Sequence, residues 1–401
     1  MVVSAHDAVA LEVVSGIDPL PTLTAAWNRG ERVLLIARDL PDALRTDLFT
    51  RAVVQRELST THAHIRSDFA PEASVIIATS GSSGSPRLIE LSVDALTTSA
   101  RLGTRVIAFG EGDIWHASLS SASIGGLMIH VRALVTGATV RHASSPRVWS
   151  DLAGITHVSL VPTQLARLLD DPTPPPATLK AVMLGGGPSS NSLRKRAISR
   201  GIPLFATYGM TETASQVATG AVTASDEATL AGSPLAGITI TIDPLHSEVL
   251  IDTPTLARGT IVDGALVPFT QPFRTRDIGA FDANGRLHIH GRLDAMFISG
   301  GRNIHPETIE RALTDLVGGR AACVVGVAHE KWGMRPVAFV DIDLMGISAA
   351  FLRAQLRERL EPYLIPDTFF VLPQDEASRF KPSRAMLAQR LARGERFEEL
   401  A

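Results

Sequence analysis

The apolar and polar positions of this chain fall into short runs that predict buried strands alternating with amphipathic helices. "ERVLLIARD" (31–39) is an apolar run bounded by charge, as expected of a strand covered on both faces. "SVIIA" (74–78) is another such run, and "RLIELS" (87–92) reads as a strand with a helix opening after Ser92. Between 151 and 187 the order is helix, strand ("THVSLV"), helix ("PTQLARLLD"), a Pro-rich break ("DPTPPPAT") and strand ("LKAVMLGGG"). "SLRKRAISRG" then reads as a surface helix and "IPLFATYG" as a further strand. Such alternation predicts a largely parallel α/β sheet with helices on both faces.

From about 236 to 292 the texture changes to "GITITI", "SEVLI", "GTIV" and "RLHIHG", short strands between turns that predict a β-rich subdomain. After "GRLDAMFISGG", the stretch "NIHPETIERALTDL" carries Pro306 in the first turn of a helix, with acidic residues nearby. "AACVVGVA", "PVAFVDID" and "SAAFLRAQLRERL" complete a compact α+β unit. The expected fold class is therefore α/β. A large N-terminal α/β domain over 1–293 includes the β-rich subdomain, and a small α+β domain follows over 294–401.

Composition narrows the partners. The chain has 401 residues, 45% apolar and 20% charged, an ordinary balance for a soluble globular protein. Its net charge is −3 and no basic tract stands out, which argues against nucleic acid. The single cysteine, Cys323, has no partner for an internal disulfide, and no Cys/His cluster shows zinc-ligand spacing. The start "MVVSAHDAVALEVVSG" lacks the basic residues of a signal peptide. "SIGGLMIHVRALVTGATV" carries His130 and Arg132 and is too short between charges to span a bilayer. A cytoplasmic protein without a membrane span is the expectation.

One loop stands apart. "ATSGSSGSPRLIELS" (78–92) offers little but hydroxyls and backbone amides where the apolar run stops. Glycine lets N–H groups turn inward and hydroxyls add donors, which suits a polyphosphate; a flexible, linker-like turn has the same composition. It is not a P-loop, which needs G-x-x-x-x-G-K-[ST] opening a helix. Here Gly84 is followed by Ser85, Pro86 and Arg87, and then by a strand.

The loop resembles the T-S-G-T-T-G-x-P-K signature of the adenylate-forming superfamily, which includes acyl-CoA synthetases and peptide-synthetase adenylation domains. Further segments resemble that superfamily's motifs in its order: "GGGPSS" (185–190), "YGMTET" (208–213), "RTRDIG" (274–279) and "GRLDAMFISGGRNIHPETIE" (291–310). The resemblance runs from about residue 75 to the C-terminus. It implies ATP, Mg²⁺ and coenzyme A as co-substrates or cofactors, and a C-terminal domain that is mobile about a hinge at Asp294. Thr79, Ser80, Gly81, Ser82, Ser83 and Gly84 would wrap the β- and γ-phosphates. Tyr208, with Gly209 and Met210 beside it, would stack on adenine, and Gly185, Gly186 and Gly187 would run along the purine edge. Thr211 would meet the α-phosphate, and Glu212 would hold the metal, because a carboxylate beside polyphosphate needs a cation between them. Asp277, helped by Arg292, would accept the ribose hydroxyls. Ser299, Gly300 and Gly301 would line a pantetheine channel, and Lys381 would be the late catalytic lysine.

Read without the resemblance, Tyr208 is a core tyrosine, Asp277 and Arg292 a surface ion pair, and Lys381 a solvated lysine. Departures from the pattern are specific. Ser82 and Ser83 replace the usual threonines, Arg87 replaces lysine, Phe380 replaces the glycine before the late lysine, and Ala122 and Ser123 stand where an aromatic and a histidine are usual.

Within the superfamily, "GGLMIHVRALVTGA", "VSLVPTQLARLL" and "MLGGGPSS…YGMTET" look like the short o-succinylbenzoate–CoA ligases of menaquinone biosynthesis. That resemblance implies an AMP-forming ligase taking a small carboxylic acid through an acyl-adenylate to its CoA thioester, with a homodimer as one possible assembly. The alternatives are a ligase for another aryl or short acid, or a non-catalytic binding homologue. Such a substrate carries a second carboxylate that needs a cationic or donor-rich partner. Arg132 is a candidate, although its place in a helix reads more simply as surface.

Overall fold

The computed structural model describes residues 3–4, 7–14, 16–58, 69–79, 86–342, 346–377 and 382–400. The loop residues Ser80–Gly84 and the late lysine, Lys381, lie outside the described residues.

The apolar runs form strands as expected, and they assemble into three sheets. Arg32–Ala37 and Ser74–Thr79 sit side by side inside an eight-stranded sheet, whose spatial order begins at Val3–Ser4 and ends at Val54–Leu58. An eleven-stranded sheet runs from Thr239–Ile242 to Thr139–His142 and contains Leu204–Met210, Ala181–Leu184 and His157–Leu160 as parallel neighbours. A five-stranded sheet around Ala322–His329 and Gly333–Val340 forms the C-terminal unit.

Helices Val93–Ile107 and Ile124–Thr136 lie between the two large sheets. Leu96, Ala100, Leu127 and Val131 pack with Val75, Ile77, Ile89 and Leu91 of the first sheet. Ile107 and Ile129 pack with Trp115 and Met183 of the second. Asp42–Ala52 covers the outer face of the first sheet, and Pro162–Asp170 with Asn191–Ser199 covers the outer face of the second. The result is five layers, αβαβα. The lead helix starts where its sequence says: Ser92 caps it by accepting from the Ala95 N–H at 3.1 Å.

Four expectations change. The sheets are mixed rather than largely parallel, since Ser74–Thr79 pairs antiparallel with Arg87–Ser92 and Leu204–Met210 antiparallel with Ser215–Ala221. The β-rich stretch is shared: Gly259–Val262 and Ala265–Pro268 join the first sheet, while its other strands extend the second. The helix expected at 151 is a single 3-10 turn, Trp149–Leu152, because the Asp151 carboxylate turns back to accept from the N–H groups of Arg147 and Val148. Helix Asn191–Ser199 is also less superficial than its charges suggest. Leu193 and Ala197 are buried, and Arg194 is buried while donating to Ser189 Oγ and to the carbonyls of Glu227 and Leu230.

Helix Pro306–Leu316 brings the C-terminal unit against this surface. Asp315 accepts from both the N–H and the hydroxyl of Ser192, at 2.9 and 2.7 Å. Arg196 donates to the Gly318 carbonyl at 3.2 Å, and Arg311 to the His290 carbonyl at 2.9 Å. Among the described residues, no helix is long and apolar enough to cross a membrane.

Glu90 stitches the first sheet together. Its carboxylate, 2% exposed, receives Arg32 through two bonds at 3.1 and 2.5 Å, Ser74 at 2.9 Å and Arg258 at 3.2 Å. Removing one side of a buried pair leaves an uncompensated charge, which costs about 3–5 kcal/mol. Glu90→Ala should lower stability by that amount in urea unfolding followed by tryptophan fluorescence. A loss below about 1 kcal/mol, the range of exposed pairs, would contradict this reading.

Candidate active site

The YGMTET segment closes strand Leu204–Met210 and turns through the 3-10 helix Thr211–Thr213 into strand Ser215–Ala221. The turn is tight enough to exclude a side chain at Gly209, where a Cβ would sit 1.7 Å from the Ser215 carbonyl oxygen. The pairing register shifts between Tyr208 and Gly209, an irregularity that re-aims the residues on either side of it.

Tyr208, Asp277 and Arg292 converge here. Tyr208 donates its hydroxyl to Asp277 Oδ2 at 2.6 Å, and Arg292 Nη1 donates to Asp277 Oδ1 at 2.9 Å. Asp277 and Arg292 face each other across paired strands. The same guanidinium forks onto Asp294, with bonds of 2.8 and 2.9 Å. That bond, and then the charge of Arg292, holds the Asp294 carboxyl below its ordinary value. Arg292 is pushed above the usual arginine value, chiefly by Asp294. Burial, then the charge of Asp277, raises the Tyr208 phenol well above 10. The Gly185–Gly187 turn abuts this strand, since a Cβ on Gly185 would meet Thr207 Cγ2 at 2.9 Å.

A second group lies along the same edge. Thr79 pairs with Arg87 across the first sheet, and Arg87 Nη2 donates to Glu212 Oε1 at 2.6 Å. Glu212 is 6% exposed, so its charge is met by Arg87 rather than by bulk water. The Glu212 carbonyl accepts from the Ala257 N–H at 2.8 Å, which fastens the turn to the first sheet's neighbouring loop. This carboxylate suits a magnesium ion, being a hard oxygen donor at the mouth of the loop that starts after Thr79.

Ser299, Gly300 and Gly301 instead find partners within the C-terminal sheet. Gly300 donates its N–H to the Trp332 carbonyl, and Ser299 pairs with Gly333. Both glycines have positive φ, 56° and 77°, in the hairpin between Phe297–Ser299 and Arg302–Ile304.

Arg132 is not on the surface. It is 1% exposed, its guanidinium lies 5.2 Å over the Trp115 ring, and Nη2 donates to Gln216 Oε1 at 2.7 Å. Its Nε is buried without a hydrogen-bond partner. Burial alone pulls its pKa down to about 10. Gln216 pairs with Gly209 across the strand register, so Arg132 reaches the underside of the YGMTET turn. The signal that could have found it is the helix itself: apart from His130 and Arg132, "IGGLMIHVRALVT" is apolar all round, and Gly126–Ala133 is buried without a break.

The family model for AMP-binding enzymes matches residues 5–262, and that for the AMP-binding enzyme C-terminal domain matches residues 308–379. The 2-succinylbenzoate–CoA ligase of Salmonella typhimurium is 36% identical over 315 residues, covering 78% of this chain and 67% of the relative. A variant of Escherichia coli MenE with bound OSB-AMS superposes with a TM-score of 0.83 at 29% identity, covering 98% of this chain and 89% of that one. O-succinylbenzoate coenzyme A synthetase (MenE) from Bacillus subtilis, in complex with ATP and magnesium ion, superposes at 0.76 with 25% identity, covering 91% and 85%.

The raised Tyr208 phenol has a measurable sign. Its folded pKa lies above the unfolded value of about 10, so its contribution is complete below that pH and is lost as pH rises through the folded value. In a Tyr363→Phe background, tyrosinate absorbance from Tyr208 should stay absent past pH ~10 and should appear only as the protein unfolds. A titration centred at the unfolded value in folded protein would mean that Tyr208 is not sealed against Asp277.

Proposed function

This chain belongs to the AMP-binding enzyme family, and on that premise we propose that it is an AMP-forming ligase joining 2-succinylbenzoate to coenzyme A in menaquinone biosynthesis. The acid carboxylate attacks the α-phosphate of ATP, giving the acyl-adenylate and pyrophosphate; the CoA thiol then attacks the acyl carbon, giving the thioester and AMP. The reading takes small molecules rather than nucleic acid as partners, cytoplasmic residence, and a homodimer as the assembly to be measured.

The residues take the roles that the motif order implies. Thr79 and Ser80–Gly84 receive the β- and γ-phosphates. Tyr208 stacks on adenine beside Gly209 and Met210, with Gly185–Gly187 at the purine edge, and Thr211 meets the α-phosphate. Asp277, whose carboxylate accepts from Tyr208 and Arg292, receives the ribose hydroxyls. Arg292 fixes that carboxylate. Glu212 holds Mg²⁺, which when bound neutralises phosphate charge and stabilises the departing pyrophosphate. Domains 1–293 and 294–401 meet at Asp294, and rotation there brings Ser299–Gly301 to the pantetheine and moves Lys381 away.

The observation that carries the choice of acid is Arg132. A buried guanidinium with an unmet N–H and, among the described residues, no carboxylate paired with it, under the YGMTET turn, suits the second carboxylate of 2-succinylbenzoate. A charge-assisted bond of this kind contributes about 1.5–3 kcal/mol. Arg132→Met should therefore raise KM for 2-succinylbenzoate roughly 10- to 100-fold while KM for ATP holds. Pyrophosphate and AMP release over a panel of acids checks the whole reading. ADP as product would overturn the reaction, and turnover of benzoates with 2-succinylbenzoate ignored would overturn the substrate.

Lys381 separates the two half-reactions. An ammonium between carboxylate and α-phosphate offsets charge that gathers only in adenylation, and losing one such donor costs about 10²–10³ in rate. Lys381→Ala should slow pyrophosphate release by that factor while supplied acyl-adenylate reacts with CoA at wild-type speed. Equal loss of both steps would point to a structural role.

A further inference from the structure

We propose that Asp18, His130 and His142 form a site for a divalent transition metal, zinc being the ion their donor set suits. The turn before helix Leu20–Trp27 meets there the consecutive pair formed by helix Ile124–Thr136 and the end of strand Thr139–His142. Their ligand atoms all lie within 4.8 Å of one another. None of the nucleotide or acid roles above uses them.

His130 carries the inference. It is 1% exposed, and its Nδ1 is buried with no hydrogen-bond partner, although Asp18 Oδ1 lies 3.3 Å away. The contact with Asp18 is an ion pair, and a buried imidazole nitrogen facing a carboxylate and a second imidazole is a donor set that a divalent cation satisfies. The other ring nitrogen, Nε2, is 3.0 Å from Ser121 Oγ, which fixes the ring with Nδ1 toward Asp18. The His142 ring stacks on that of His130 with centroids 5.1 Å apart. Asp18 is itself oriented, since its Oδ1 accepts from the Leu20 N–H at 2.9 Å. His130 is held as metal-ligating histidines characteristically are, by a bond on the ring nitrogen away from the ligand position.

The dimensions agree. Zinc bonds of about 2.0–2.2 Å in tetrahedral array place neighbouring ligand atoms roughly 3.3–3.6 Å apart. The Asp18–His130 pair has that spacing, and His142 closes the remainder by a side-chain movement. Two imidazoles and one carboxylate leave the fourth position for water, which reaches it past Asp18, whose side chain is 38% exposed. A bound ion would fasten the first helix turn to the helix that carries Arg132.

Zn²⁺ titrated calorimetrically into chelator-treated, nucleotide-free protein is the test, with Co²⁺ absorption as a second probe. One Zn²⁺ per chain should bind, raise the unfolding temperature, and be replaced by Co²⁺ with tetrahedral-type bands. Asp18→Asn and His142→Gln should each weaken Zn²⁺ at least about tenfold and remove the rise in unfolding temperature, with circular dichroism unchanged. His130→Gln should do the same; should that buried variant fail to fold, the other two still decide. Absence of stoichiometric binding would overturn the proposal, as would binding that survives both Asp18→Asn and His142→Gln.

Discussion

A carboxylate removed from water must be met by donors or a cation, and Asp277 is where this protein concentrates that requirement. It is 7% exposed and takes a phenol on one oxygen and a guanidinium on the other. The phenol belongs to the strand that ends in the YGMTET turn. The guanidinium belongs to the last strand before the C-terminal unit, and its other edge is committed to Asp294. One buried charge thus orients Tyr208 and Arg292 and, through Arg292, Asp294. The position of each is set by the need of the others.

The scaffold makes this convergence possible by packing two large sheets against a shared pair of helices. Both sheets present strand ends to the same edge, so Arg87 from one reaches Glu212 from the other across 125 positions of sequence. Close backbone approach does the rest. Gly209 lets the Ser215 carbonyl pass beneath the turn, and Gly232 lets Thr219 pass beneath another, where a Cβ would lie 2.2 Å from the Thr219 carbonyl carbon. The second of these has φ +102°, a conformation that side chains other than hydrogen seldom adopt.

Much of this was legible in the chain because burial on both faces writes unbroken apolar runs. "ERVLLIARD" and "SVIIA" became neighbouring strands for that reason. The motif segments were legible through their resemblance to those of the adenylate-forming superfamily, in whose order they fall. Pairing partners were not, since a short strand such as Gly259–Val262 has no local feature saying which sheet it joins. Arg132 was misread because a lone charge in a helix normally marks its wet face; here both faces are packed and the guanidinium rests on Trp115. Ser80–Gly84 and Lys381 remain readings of sequence.

The pair formed by Arg87 and Glu212 would link the entry of an anion to that of a cation. A carboxylate that is already satisfied by an arginine is available to a cation only in the fraction of molecules where that arginine has let go, and apparent affinity falls by that fraction. Arg87 directly follows the Ser- and Gly-rich loop, so an anion drawing it away from Glu212 would vacate the carboxylate that a cation takes up. Anion and cation would then each ease the entry of the other. Such a coupling would be reciprocal, a heterotropic cooperativity held in one ion pair rather than in any movement of domains.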